Sequence, residues 1–322
     1  MPADARTSTQ EPRRLPWYVA ILHGLGGLLS GGLLIGFLFV SLLEDLAPPV
    51  FAITGAVLIA SAAAVAWFRK HPFVRLFALS LSIAGHGALA SYLEETFDFD
   101  GLVLGMVLLA IILYALYRDP LHRFLSVFGT LLLLATWIVD GEGLDPNALH
   151  ALLLLVSAAN LWIFTTPASD RIRPAGYAAA IVMLLLPLMI LDGGAIDWRG
   201  ARIIAVIYAA SILWLLQRAY ADFRGLWLAV VAVGGVAMGA VTTPGLAFAI
   251  GVLVIGFWRG ERLLTALGLL FLPVFLIVFY YDLDITLLEK SFMLLAGGAL
   301  MLGLRQALVF WERTRHRAEE TP

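Results

Sequence analysis

Cysteine is absent from the 322 residues, and charge is scarce, with Asp, Glu, Lys and Arg making up only 14%. The first absence excludes disulfides, thiolate metal sites and cysteine nucleophiles. The second excludes an ordinary soluble surface, because a soluble domain carries about 25% charged residues. No polar stretch is long enough to build a soluble domain beside the apolar ones. Walker A, HExxH and GxSxG patterns are also missing, and with them the best-marked phosphate, zinc and serine chemistries. The sequence therefore leans away from an enzyme: it assigns no catalytic residue, no cofactor, no metal site and no nucleic-acid partner. What is present is apolar, at 61% hydrophobic residues and a mean hydropathy of +0.92.

A helix needs about 20 mainly apolar residues to cross roughly 30 Å of hydrocarbon. Runs of this kind are read at 17–43, 49–67, 74–93, 101–117, 124–139, 149–166, 175–191, 203–217, 226–241, 244–257, 263–281 and 289–306. They are continuous rather than alternating, which disfavours barrel strands, and a helix satisfies its own backbone in lipid. The expected fold is an all-α polytopic transmembrane bundle of about 12 spans over residues 17–306, with the lipid bilayer as its first partner. A polar arm, 1–16, precedes it and a tail, 307–322, follows.

The connectors fall into two alternating classes. One is basic: Arg13-Arg14, then Arg69, Lys70 and Arg75, then Arg118 and Arg123, then Arg171 and Arg173, and onward to Arg317. The other is acidic: Glu44-Asp45, then Glu94 to Asp100, then Asp140 to Asp145, then Asp192 and Asp197, and finally Asp282, Asp284 and Glu289. Of the 21 Lys and Arg, 18 fall on one side, and of the 23 Asp and Glu, 14 fall on the other. Retention of Lys and Arg sets orientation, so the basic side is expected to be the cytoplasm of a bacterial inner membrane, with both termini there. Arg13-Arg14 before the first run resembles a targeting signal, but that run is too long for a signal h-region and reads as an uncleaved first span. Several basic turns begin with an aromatic–Arg pair, as at Phe68-Arg69, Tyr117-Arg118, Phe223-Arg224 and Trp258-Arg259. Interfacial convergence and hairpin duplication both account for that repetition.

Residues 226–257 are the weakest place in the count. Their 32 residues make about 48 Å of helix, against about 60 Å for two crossings. Thr242-Thr243-Pro244-Gly245 interrupts them, so the stretch reads as two short spans or a re-entrant hairpin. Segments broken by Gly and Pro can mark a transport site, which makes Thr242 and Thr243 ligand or coupling candidates. Ordinary close packing at Gly234, Gly235 and Gly239 is the alternative.

Polar groups inside spans are functional candidates by default, because they are costly in lipid. Every Asp, Glu, Lys and Arg here can be placed in a connector or within about a turn of a span end. His86, between Gly85 and Gly87 and near Ser80 and Ser82, is the clearest internal polar residue. It reads either as a proton-responsive or ligand-binding group or as an imidazole bonded to a neighbouring helix. Asn160 reads as a second ligand candidate or as interhelical glue, and His23 is comparable. Asp98-Phe99-Asp100 and Asp282-Leu283-Asp284 have a D-x-D look but lack the further oxygens of a calcium loop. Glu44-Asp45 sits where multi-span glycosyltransferases place an acid, on a connector of only about five residues.

The most specific motif lies near the end. Thr286 and Glu289 fit a capping box that would start the last span, and Lys290 in the first turn opposes the helix dipole. The stretch 280–291, from Tyr280 and Tyr281 through Thr286, Glu289 and Lys290 to Ser291, is followed by a glycine-bearing span ending at Leu304-Arg305. Together with Pro16-Trp17-Tyr18, Leu25-Gly26-Gly27 and Gly36-Phe37, it resembles the bacterial membrane family catalogued as domain of unknown function 4401. The resemblance covers nearly the whole chain and carries no established activity to transfer. Such proteins are often encoded near a second multi-span family, domain 2157, and a small protein named for a GDYxxLxY motif. The resemblance thus implies other small or multi-span membrane proteins as partners. Three readings follow: a non-catalytic subunit or scaffold of a membrane complex, which is preferred; a transporter or channel for a neutral or amphiphilic solute; and a membrane enzyme on a lipid-linked substrate.

Overall fold

The computed structural model describes residues 16–38, 47–68, 72–117, 119–140, 147–167, 170–193, 198–219 and 243–282, together with 288, 289, 291, 292, 295, 302 and 306. Among them the regular structure is helical throughout. The helices are α1 Trp17–Leu38, α2 Pro48–Phe68, α3 Pro72–Leu116, α4 Pro120–Asp140, α5 Asn147–Thr165, α6 Arg173–Gly193, α7 Trp198–Ala219, α8 Pro244–Arg259 and α9 Arg262–Asp282. Among the described residues, six helices are long and apolar enough to cross a membrane, and α1, α6 and α8 contribute shorter apolar segments.

Proline opens α2, α3, α4 and α8. Its missing N–H costs nothing in a first turn, and its fixed φ suits the helix. At α4 this moves the start to Pro120 from the expected 124. Asp119 is the cap: its Oδ1 accepts from the backbone N–H of Leu121 at 2.9 Å and of His122 at 3.3 Å, satisfying donors that a helix start leaves unpaired. His122 and Arg123 therefore belong to the helix rather than to a connector.

The runs expected at 74–93 and 101–117 both lie in α3, which continues through 94–100 and breaks only at Asp98, with φ 59° and ψ −173°. That backbone region is open almost only to glycine and costs a side-chain-bearing residue about 1–3 kcal/mol. The break divides α3 into a first limb, 72–97, and a second limb, 99–116.

Two compact units divide the chain after Ile204, within α7. In the first unit, α1 and α2 pack on the first limb of α3 through glycines. A Cβ at Gly27 would collide with the Phe73 carbonyl oxygen, and one at Gly85 would stand 2.8 Å from the Gly55 carbonyl oxygen. Without side chains there the backbones approach closely, as apolar helices do where no water drives association. Polar side chains add cross-links. Ser80 Oγ donates to the Leu28 carbonyl at 3.2 Å, Tyr117 Oη to the Ala62 carbonyl at 3.2 Å, and Trp137 Nε1 to Asp100 Oδ1 at 2.7 Å. Helix α6 packs against α4 and α5 and is the most enclosed, with Val182, Met183, Leu184 and Leu186 fully buried.

The second unit contains most of α7 with α8 and α9. Tyr208 of α7 packs against Phe248 of α8, ring centroids 5.6 Å apart. Gly260 turns α8 into α9 in the left-handed region, φ 68°, and the N–H of Glu261 closes the helix end on the Gly256 carbonyl at 2.8 Å. Large apolar side chains line the outside of both units, among them Leu22, Leu33, Leu155, Phe257 and Leu270. Exposed apolar surface on this scale marks a face that meets something other than water. With the apolar helices, it makes the chain a membrane protein.

Candidate functional site

His86 lies on the first limb of α3, and its Nδ1 is 2.6 Å from the Ser82 carbonyl oxygen one turn back. A carbonyl only accepts, so Nδ1 carries the hydrogen and a neutral ring keeps Nε2 as an acceptor. Four residues earlier on the same face, Ser82 Oγ is 2.8 Å from Nε2 of His122, the residue that Asp119 and Pro120 bring into the first turn of α4. A hydroxyl both donates and accepts, so this contact suits either tautomer of His122. The two rings stand 5.8 Å apart.

Both remaining ring nitrogens are shielded from solvent and lack a hydrogen-bond partner among the described residues, as does Ser126 Oγ one turn along α4. Such groups cost about 1–3 kcal/mol each when left unpaired. The residues that carry them line a cavity of about 460 Å³ between the two limbs of α3 and α4, although the three atoms themselves are shut off from it. Its other walls include Leu79, Ile83, Leu102, Met106, Phe128 and Leu133. A volume of this order, mostly apolar with a few polar groups, is that of a small-molecule site.

Tyr117 closes one side of the cluster, its ring stacked on His122 at 3.8 Å and 13°. Arg123 is buried but compensated, its Nε donating to the Tyr117 carbonyl at 2.8 Å and its guanidinium lying over the Tyr114 ring at 5.0 Å. Beyond Tyr117, a second cavity of about 410 Å³ is lined by Ile21, Gly24, Arg75, Asp119 and, again, His122. Arg75 and Asp119 form an ion pair there at 2.6 Å. His122 therefore lies in the wall of both cavities.

Of the residues singled out in the sequence, His86 is in this cluster. Asn160 is not: it is fully buried in α5 and its Nδ2 reaches the Gly176 carbonyl of α6 at 3.5 Å, a tie between helices. Thr243 belongs to the second unit, where it is buried and caps α8 by position. Thr242 lies outside the described residues, as do 226–241, Glu44-Asp45, Thr286 and Lys290. Tyr280 and Tyr281 end α9 in an edge-on pair at 5.6 Å, while Glu289 and Ser291 are helical and exposed. Asp98 is exposed and Asp100 accepts from Trp137, so the D-x-D look at 98–100 resolves into a backbone break and a helix tie. Among the described residues, no three His, Asp or Glu come together as metal ligands.

His122 is the residue that the sequence reading missed. The signal was present in Asp119-Pro120, an N-cap residue followed by the favoured first-position residue. It places His122 inside the helix and sets a second imidazole opposite the first.

No curated protein and no solved structure matches the chain. The family model described as Domain of unknown function (DUF4401) matches residues 16–309, nearly the whole length, and the chain belongs to that family.

Proposed function

We propose that this chain is a multi-pass protein of the bacterial inner membrane, with about 12 spans and cytoplasmic termini, and that it serves as a non-catalytic subunit or scaffold of a membrane complex. The carrying observation is the way the first unit is tied. Side chains on α3, α4 and α5 reach backbone or carboxylate oxygens of other segments at Leu28, Ala62, Asp100, Arg171 and Gly176. Glycine-mediated backbone contacts lock α1 and α2 onto the same limb. A bundle cross-linked on most sides suits a fixed framework better than helices that rock to alternate access.

The orientation draws support from the same contacts. Arg75 pairs with Asp119, and Tyr114 Oη reaches the Arg171 carbonyl at 2.7 Å, so three basic connectors meet at one end of the helices. The Trp137–Asp100 bond joins helix ends beside acidic connectors.

The test is purification of the full chain from its native membrane in mild detergent, with mass measured on the intact particle. A stoichiometric assembly with other membrane proteins is the expected result. Recovery of a lone, stable monomer overturns the subunit reading.

A further inference from the structure

We infer that the cavity beside the Arg75–Asp119 ion pair is a binding site for a membrane phospholipid, with the lipid's phosphodiester on Arg75 and part of an acyl chain along the apolar wall. This goes beyond the subunit reading and stands without it.

The first ground is what the ion pair leaves unspent. Asp119 Oδ1 accepts from the backbone N–H groups of Leu121 and His122 at 2.9 and 3.3 Å. Its Oδ2 takes Nε and Nη2 of Arg75 at 2.7 and 2.6 Å. Four donors therefore meet a carboxylate with about four acceptor positions, which leaves it saturated. The guanidinium is not saturated. It carries N–H groups on three nitrogens, and among the described residues Asp119 engages Nε and Nη2, so Nη1 remains. The charged rim thus offers donors and no vacant acceptor, which selects a group that accepts without donating. A phosphodiester is such a group, and the guanidinium fork matches its oxygens.

The second ground is reach. Arg75 lines the cavity, and its side chain is 46% exposed, so a ligand meets it without rearrangement of the helices. The third is place and shape. The walls come from the opening turns of three helices, at Ile21 and Leu25 of α1, Leu76 and Leu79 of α3 and Leu121 of α4. The cavity therefore lies at one end of the helices, where head groups lie when helices cross a bilayer. Ile21 and Leu25 are also exposed, so in a membrane one wall is continuous with lipid. The volume of about 410 Å³ is that of a small-molecule site; it holds a head group and the start of one chain, the remainder staying in the bilayer.

A soluble phosphate ester shares the phosphate chemistry but has no use for the apolar wall. The experiment strips the purified full chain of lipid by detergent exchange and titrates it with dioleoylphosphatidylglycerol, counting bound lipid by native mass spectrometry. Dioleoylglycerol lacks the phosphate, and glycerol phosphate lacks the chains. The first phospholipid should bind about tenfold more tightly than dioleoylglycerol, and glycerol phosphate should not displace it. A diazirine-bearing phosphatidylglycerol should label peptides of α1 and the start of α3.

Arg75→Gln removes the charge and is expected to weaken the first binding event about tenfold. Asp119→Asn keeps a capping side chain while removing the carboxylate that competes for the guanidinium, and is expected to tighten it. Both variants break the same ion pair, so a purely structural tie moves them in the same direction; opposite signs are the signature of the site. Ile21→Trp fills the cavity from a half-exposed position and should abolish the tight event while leaving elution and melting unchanged, so it decides the matter even where an ion-pair variant fails to fold. Equal binding of dioleoylglycerol, displacement by glycerol phosphate, labelling confined to other helices, or unchanged binding in Ile21→Trp overturns the proposal.

Discussion

A few single residues hold the first unit in a state their local chemistry does not favour, and each can be relaxed selectively. Asp98 occupies a backbone region natural to glycine, so Asp98→Gly should raise stability by about 1 kcal/mol, read as a higher melting temperature in detergent. A lower one would show that the carboxylate contributes something the backbone geometry does not reveal. Tyr117 is the converse case, buried, stacked on His122 and donating to the Ala62 carbonyl. Tyr117→Phe should cost about 1 kcal/mol for the lost hydrogen bond. Equal melting temperatures of wild type and Tyr117→Phe in detergent would refute the assignment. Both residues show what could be read in advance: Asp98 sat in a recognised acidic connector, but its dihedral angles depend on two helices meeting there.

At the scale of helices, glycine has two opposite roles that composition cannot separate. Gly85 sits where α2 and α3 cross, and a Cβ there would stand 2.6 Å from Ile59 Cγ1 and 2.8 Å from the Gly55 carbonyl oxygen. Gly85→Leu should destabilise by about 1–3 kcal/mol, because backbone cannot move aside as a flexible side chain does. Gly32 of α1 meets nothing within 4 Å, so Gly32→Ala should be neutral or stabilising by up to about 1 kcal/mol. Thermal melting of the two variants side by side checks the distinction, and equal losses would remove the close-crossing account. The spacing of apolar runs anticipated most of the helices within a few residues. It failed at α4 because the hydrophobic signal begins at Phe124, whereas the helix begins where Asp119 can cap it.

For the whole molecule, the alternation of basic and acidic connectors is the strongest long-range pattern. A reporter fused after Asp145 should be active only in the periplasm, and one at the C-terminus only in the cytoplasm. A cytoplasmic signal after Asp145 would reverse the orientation. The same pattern explains why the acidic loops attracted a catalytic reading without earning one. Lys and Arg are retained on one side of a membrane during insertion, which leaves the other side acidic by depletion, whatever that side does.

The amino-acid sequence by itself determined that this is a helical membrane protein, because continuous apolar runs have no other way to satisfy their backbone in lipid. It also marked His86 and Asn160 as costly polar groups. Only the tertiary structure decided between them. Asn160 spends its amide on the α6 backbone, whereas His86 is set beside His122, 36 residues away in the chain. Cavities and unpaired atoms arise from the register of one helix against another, which hydrophobic periodicity leaves free. The site is therefore a property of how α3 and α4 pack, and its chemistry follows from which ring nitrogens that packing leaves without a partner.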